Sequence, residues 1–320
     1  MATEWPRLGL GCASLGSPDI SDRDAEAVIA AAIATGIRFF DVAPLYGGGL
    51  AEIRLGRALR GLPRDSYVLC TKTGVTRPYG APPTPASGVR RGADVWDYSA
   101  RATRESVARS VERLDVERLD VVHLHDVEAH LDACLDAHAE LARWRKDGVV
   151  AGIGIGSNFV APVEYLLDCA RFDACLLAGC YTLLDLQGAA LLRRAHASGV
   201  RTIVGGVFNS GVLAAWPQAA PTFGYEPARA GVRERTERIA AICARHHVPI
   251  GAAAMQFVLM NDAVTTMLIG ARSVGELTQN LAALRDPAPA ALWDDLAESN
   301  IIPRDCVRPG EARGIPAGSS

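Results

Sequence analysis

Short apolar runs alternate with longer stretches of helical hydrophobic period, and the alternation repeats along most of the chain. The runs Leu8–Ala13, Ile37–Asp41, Tyr67–Lys72, Leu119–His125, Val150–Ser157, Ala174–Cys180, Val200–Gly206 and Thr265–Gly270 are short and continuously apolar, as strands buried on both faces must be. Between them the spacing predicts helices over Asp22–Thr35, Ala100–Leu114, Asp136–Lys146, Pro162–Arg171, Ala189–Ser198, Val232–His246 and Val274–Leu284. Asp22 and Asp24 fall in the first turn of the first helix, and Gly36 stands where a C-terminal glycine closes one. Strands alternating with helices predict a parallel sheet with right-handed crossovers, and eight is the number that closes a TIM barrel. The expected fold is α/β, a single (β/α)8 barrel over residues 1–302, with 303–320 as a disordered tail.

An open, doubly wound sheet is the competing architecture. Its support is Gly152-Ile153-Gly154-Ile155-Gly156-Ser157, which is close to a dinucleotide fingerprint. The spacing is not GxGxxG and the run lies mid-chain, so glycines near the end of a barrel strand account for it better. Two connections, Gly74–Trp96 and Val207–Gly231, are too long and irregular to be plain links. Loops of this length in a compact domain usually serve function, and both follow strand C-termini, where barrels build their sites.

Composition narrows the class. The chain of 320 residues is 49% hydrophobic with a net charge of −3, and no basic stripe suggests a nucleic-acid partner. No run approaches the ~20 apolar residues of a membrane helix, and Met1–Leu10 lacks the basic and apolar regions of a signal peptide. Several of the eight cysteines sit in apolar runs, and none has CxxC or zinc-like spacing. Reduced thiols in a cytoplasmic protein and no metal are the expectation. Nothing in the sequence speaks to oligomeric state.

Of the 33 basic residues only Lys72 and Lys146 are lysines. Lys146 lies in a polar stretch after a helix and reads as a surface charge. Lys72 ends an apolar strand, where a compact ammonium does what a guanidinium fork cannot. Strand two ends in Asp41, with Tyr46 five residues on, and strand four ends in His125. Closing the barrel brings an acid, a phenol, an amine and an imidazole to one mouth, a proton-transfer set. Poising a phenol of reference pKa near 10 at neutrality takes roughly 4 kcal/mol. An ammonium about 3–4 Å away supplies on the order of 4–5 kcal/mol at an effective dielectric of 20, with burial working against it. Each residue has a plainer reading: Asp41 as a cap, Tyr46 as a loop aromatic, and one of His123 and His125 as a core histidine.

The motifs also resemble a known family. Phe39-Phe40-Asp41-Val42-Ala43-Pro44-Leu45-Tyr46-Gly47, Thr71-Lys72-Thr73-Gly74 and Leu119 through Asp126 are similar, in order, to the Asp/Tyr, Lys and His motifs of the aldo-keto reductases. Gly154-Ile155-Gly156-Ser157-Asn158-Phe159 resembles their nicotinamide-amide segment, and Gly270-Ala271-Arg272-Ser273 through Gln279-Asn280 their adenosine-phosphate clamp. The resemblance runs from about residue 7 to 285. It implies catalysis by Tyr46, Lys72, Asp41 and His125 around a nicotinamide cofactor. Ser157, Asn158, Tyr181, Phe208, Asn209, Ser210, Gly211, Gly270, Arg272, Glu276, Gln279 and Asn280 would contact that cofactor, with Tyr181 stacking on the nicotinamide and 208–211 along the pyrophosphate. Trp96, Tyr46 and His125 would meet the substrate.

Residues Leu177–Asp185 and Gly205–Gly211 are further similar to bacterial aldose dehydrogenases that oxidise the anomeric carbon of L-fucose, D-arabinose or L-galactose to a lactone, with pyridoxal 4-dehydrogenase close by. Two departures matter. The Gln that many members carry on strand six is missing from Leu176-Leu177-Ala178. Glu276 stands where NADP-preferring members often carry Arg, which favours NAD over NADP. The resulting expectation is NAD(P)-dependent oxidation of a small sugar. Pyridoxal oxidation or NADPH-dependent aldehyde reduction is the near alternative. A Schiff-base aldolase through Lys72 and a non-catalytic cofactor-binding subunit are more distant ones.

Overall fold

The computed structural model describes residues 4–77, 94–224 and 226–306. Eight parallel strands form a closed barrel: β1 (Leu8–Gly11), β2 (Phe39–Asp41), β3 (Val68–Thr73), β4 (Leu119–His125), β5 (Val150–Ser157), β6 (Ala174–Ala178), β7 (Arg201–Gly205) and β8 (Thr266–Ile269). Each pairs with its sequence neighbours, and Leu8 opposite Met267 closes β1 on β8. The helices are α1 (Asp22–Ala34), α2 (Leu50–Leu59), α3 (Ala100–Leu114), α4 (Leu131–Lys146), α5 (Val160–Cys169), α6 (Ala189–Ala197), α7 (Ala230–Arg245), α8 (Ile250–Leu259), α9 (Val274–Ala282) and α10 (Ala290–Glu298). No helix among the described residues is long and apolar enough to cross a membrane.

All eight expected strands form, and Leu119–His125 and Val150–Ser157 match to the residue. Alternation of side chains sorts them into two cores. Outward residues such as Leu10, Phe40, Leu69, Val122 and Leu124 pack against the helices. Inward residues Phe39, Val68, Cys70, Val121, Leu176, Ile203 and Leu268 fill the barrel. At its N-terminal end Trp5 meets Phe39 edge-on at 5.1 Å, and the Arg201 guanidinium covers Trp5 at 4.7 Å. Arg64 there pairs with Asp120, and Arg118 with Asp65.

The glycine run of β5 is explained by packing, not by phosphate binding. Gly152, Gly154 and Gly156 stand opposite Val121, His123 and His125. A Cβ on Gly154 would fall 2.2 Å from His123 Nδ1, so the missing side chain makes room for an imidazole inside the barrel. The closure of the eight strands into a barrel excludes the doubly wound alternative.

Three helices escaped the periodicity. Every residue of α8 from Ile250 to Val258 is buried, so it has no polar face to reveal a period. α2 follows three glycines and turns two charges inward. Glu52 accepts from Thr71 and Arg113, while Arg54 donates to Asp22 and to the carbonyls of Leu15 and Ile20. α10 begins just after Pro287 and Pro289.

Capping follows expectation with one change: Ser21, preceding the two aspartates, receives the Asp24 amide at 3.1 Å, and Gly36 has φ +89°. In the tail, Arg304–Cys306 form a short 3-10 turn. Residues 307–320 lie outside the described residues, as do 78–93 of the Gly74–Trp96 connection. The base of that connection is a two-stranded ribbon in which Val75 pairs with Trp96 and Thr76 with Val95. The Val207–Gly231 connection carries a 3-10 turn at Asn209–Gly211 and a short ribbon of Thr222–Phe223 with Glu226–Pro227. Lys146 is exposed at the end of α4, at the barrel's N-terminal side.

Candidate active site

Four polar side chains from adjacent strand ends share the C-terminal mouth of the barrel. Lys72 is 1% exposed and Asp41 3% exposed. The Lys72 ammonium donates to Asp41 Oδ1 and, at 2.9 Å, to the carbonyl of Val42. It also stands 4.9 Å from the centre of the Tyr46 ring. That ring meets His125 edge-on, with centroids 5.8 Å apart and planes at 88°. The expected quartet is one cluster.

The backbone that presents Tyr46 depends on glycine. Gly47, Gly48 and Gly49 all have positive φ, and a Cβ on Gly47 would fall 2.1 Å from the carbonyl oxygen of Gly16. The loop after β1 and the turn bearing the phenol therefore touch backbone to backbone, which only glycine permits.

The electrostatics revise one expectation. Burial is the largest influence on Tyr46 and lifts its phenol above the ordinary range, with Lys72 only partly offsetting it. The ammonium is committed to Asp41, whose own negative charge also disfavours a phenolate. Burial alone would discharge Lys72, but Asp41 and Tyr46 more than compensate and hold it protonated. Burial, followed by the Lys72 charge, keeps His125 neutral, and His123 likewise. The protein alone thus holds a protonated phenol beside a fixed cation and a neutral imidazole.

His123 and His125 both point into the barrel. His123 lies one layer deeper, fully buried against Gly154, and is the core histidine of the two. At the mouth, the Asn158 side-chain amide donates to Asp126 at 3.3 Å, and Ser157 Oγ donates to Glu128 at 2.8 Å. Sequence reasoning missed Tyr98, Asp126 and Glu128 as parts of this site. Tyr98 is 2% exposed, and its hydroxyl donates to the carbonyls of His125 and Asp126. Gly74, with φ +98°, leaves the space its ring fills. Two carboxylates within three residues of a strand-end histidine were the available signal for Asp126 and Glu128.

Other expected contacts divide. Tyr181 is 2% exposed; its ring stacks on Phe257 of α8 at 5.2 Å, and its hydroxyl is turned towards Asn261 and Cys306. This places it in the core, because α8 offers an aromatic partner directly beneath. Asn209 is buried and ties two loops together, accepting from Thr182 Oγ1 at 2.6 Å and donating to the Gly179 carbonyl at 3.2 Å. Phe208 is partly buried, while Ser210 and Gly211 have positive φ on the same turn. Trp96 is half-buried on the ribbon above the mouth.

At the end of β8, Ser273 caps α9, and Glu276 Oε2 accepts the Arg272 amide at 2.8 Å. The Glu276 carboxylate is therefore partly used as a helix cap. Arg272 pairs with Asp19 at 2.5 Å, Asn280 reaches the Gly270 carbonyl at 3.4 Å, and Gln279 is exposed. A cleft of about 510 Å³ opens at the opposite end of the barrel, lined by Trp5, Arg38, Tyr67, Arg118 and Asp120 among others. Much of its charged lining is ion-paired, Arg118 with Asp65, Asp120 with Arg64 and Asp173 with Arg145. Among the described residues no group of His, Cys, Asp or Glu has the geometry of a metal site.

Residues 7–301 match the model of the aldo/keto reductase family. The chain is 40% identical to the D-threo-aldose 1-dehydrogenase of a Pseudomonas species, over 93% of this chain and 95% of that protein. It is 36% identical to the pyridoxal 4-dehydrogenase of Microbacterium luteolum, over 92% and 94%. In fold it is similar to the glycerol dehydrogenase of Gluconobacter oxydans, at 21% identity and a TM-score of 0.73 over 97% and 96% of the two chains. The chain belongs to the aldo/keto reductase family and is a nicotinamide-dependent oxidoreductase.

Proposed function

We propose that this protein oxidises the anomeric carbon of a small aldose, of the L-fucose, D-arabinose or L-galactose type, to a lactone. The observation that carries the reading is the Tyr46–Lys72–Asp41–His125 cluster at the barrel mouth, in a chain most of whose length is similar to an aldose 1-dehydrogenase.

The residues present fit a dinucleotide. Asn209, Ser210 and Gly211 have positive φ in succession, and a Cβ on Gly211 would meet nothing within 4 Å, so the turn keeps an open backbone surface. The N-terminus of α9 offers amides to a phosphate. Ser157 and Asn158 would hold the carboxamide and 208–211 the pyrophosphate. Gly270, Arg272, Glu276, Gln279 and Asn280 would hold the adenosine end. Bound nicotinamide supplies the hydride acceptor and, when oxidised, a positive charge.

In the oxidative direction the deprotonated form of Tyr46, the minor one near neutrality, takes the proton of the anomeric hydroxyl as the C1–H bond breaks and C1=O forms. Lys72, charged and anchored by Asp41, stabilises the oxygen that becomes basic. Neutral His125 donates from one ring nitrogen to the reacting oxygen and fixes its position. Trp96 and the loop after β7 enclose the substrate. General acid–base catalysis of this kind is worth about 10²- to 10⁴-fold. Arg272 is committed to Asp19 and Glu276 adds negative charge, both of which favour NAD over NADP.

The test is absorbance of reduced nicotinamide with NAD and NADP separately, across L-fucose, D-arabinose, L-galactose and pyridoxal. Oxidation of an aldose with kcat/KM at least ~10-fold above pyridoxal supports the reading; the reverse order replaces it with pyridoxal oxidation.

A further inference from the structure

Asp126, immediately after His125, carries a carboxylate for which the mechanism above has no use. Its backbone is in the left-handed region, at φ +50° and ψ 54°, which Asp enters more readily than most residues other than glycine. The turn is held from two sides: the Asp126 amide donates to the Gly156 carbonyl at 2.9 Å, and the Tyr98 hydroxyl donates to its carbonyl at 3.0 Å. The result is a carboxylate folded back over the mouth, with Oδ1 3.8 Å from His125 Nε2 and 3.3 Å from the Asn158 amide. Its side chain is 28% exposed, so a substrate can reach it.

Among the described residues no Arg or Lys forms an ion pair with Asp126; its one ion-pair neighbour is His125, which is held neutral. A carboxylate with no cation in contact, which feels the Lys72 charge only from a distance and stands beside His125 Nε2 at the mouth, is placed to accept hydrogen bonds from a ligand. Neighbouring hydroxyl oxygens on a sugar lie about a hydrogen-bond length apart. One oxygen at His125 Nε2 therefore brings the next within reach of Asp126.

We infer that Asp126 is a specificity-determining residue that accepts the hydrogen bond of the substrate hydroxyl adjacent to the oxidised carbon, selecting polyhydroxylated substrates over those lacking that hydroxyl. The inference rests on the aldose reading above and deepens it. A site built around such a bond disfavours the analogue without it, since the bound substrate then covers the carboxylate without returning a hydrogen bond to it.

The experiment is a cycle of two proteins and two substrates: wild type and Asp126→Ala, each with an aldose and its 2-deoxy analogue, with Asp126→Asn as the conservative control. Circular dichroism verifies the fold. For Asp126→Ala, kcat/KM on the aldose is expected to fall about 10- to 100-fold, mostly through KM, while on the 2-deoxy sugar the two proteins stay within about threefold. Asp126→Asn, which keeps a neutral acceptor, falls in between. Equal losses on both substrates, or no loss on either, overturn the inference while leaving aldose oxidation standing. A wild type that turns over pyridoxal but no aldose removes the underlying reading, and the inference with it.

Discussion

Gly154 on β5 faces His123 on β4, and a Cβ on that glycine would stand 2.2 Å from the imidazole Nδ1. Overpacking a filled interior typically costs about 1–3 kcal/mol. Gly154→Ala is accordingly expected to lower the melting temperature by several degrees. Adding His123→Ala, which removes the obstructing ring, should make the second substitution less harmful than it is alone. Thermal melts of the four proteins test this; additive losses would mean the contact is not the cause.

Tyr46→Phe removes the hydroxyl proposed to carry the proton without emptying its space. Its kcat is expected to fall by about 10²- to 10⁴-fold with dinucleotide affinity retained, as read by quenching of intrinsic fluorescence. Because burial holds the phenol protonated, the basic form that oxidation needs is the minor one near neutrality. Oxidation should rise with pH across the neutral range, with a slope approaching about tenfold per unit, while reduction, which uses the protonated form, does not rise. An oxidation rate falling with pH would contradict the assignment.

His123 and His125 are held neutral in the folded protein and become charged in the unfolded chain near pH 6.5. The unfolded state therefore binds more protons below that pH, and stability falls as pH drops, by up to about 1.4 kcal/mol per pH unit for each histidine. Burial raises Asp126 to about 6, so it acts in the opposite sense: the folded state binds the extra proton between about pH 4 and 6. Denaturant titrations at several pH values should show a shallower acid slope for His123→Gln and a steeper one for Asp126→Asn.

Tyr98 holds the end of β4 by its hydroxyl, and it sits at the foot of the ribbon carrying Trp96. Tyr98→Phe keeps the ring and loses both hydrogen bonds. The expected outcome is a kcat about 3- to 30-fold lower with the melting temperature little changed, since a misplaced catalytic group costs rate more than stability. Steady-state kinetics beside a thermal melt separate the two.

Arg272 is occupied by Asp19 at the entrance to the α9 helix. Releasing it with Asp19→Asn should raise kcat/KM for NADP relative to NAD by about 3- to 10-fold, because a freed guanidinium is a good phosphate partner. An unchanged ratio would show that Arg272 does not face the adenosine end.

Residue placement explains what was legible in the sequence. Strand ends were readable because buried parallel strands leave few positions for polar residues, so Asp41, Lys72 and His125 stood out against apolar neighbours. The barrel followed from the eight repeats. α8 was hidden by complete burial, and α2 by the inward turn of Glu52 and Arg54, because periodicity registers only helices with one wet face. Tyr98 was hidden for another reason: its role comes from a hydroxyl crossing to a strand 27 residues away, which no local pattern records. The acidity of Tyr46 is not legible in the sequence because the extent of burial, which outweighs the ammonium, depends on how the whole mouth packs, and the negative charge of Asp41 adds to it.

The near absence of lysine has a practical consequence. Of the two, Lys72 is sealed beneath the barrel mouth, and Lys146 stands on the surface at the far end. Among lysines, an amine-directed dye or resin therefore finds a single point of attachment, and an enzyme fastened there turns the C-terminal mouth of its barrel to the bulk solution.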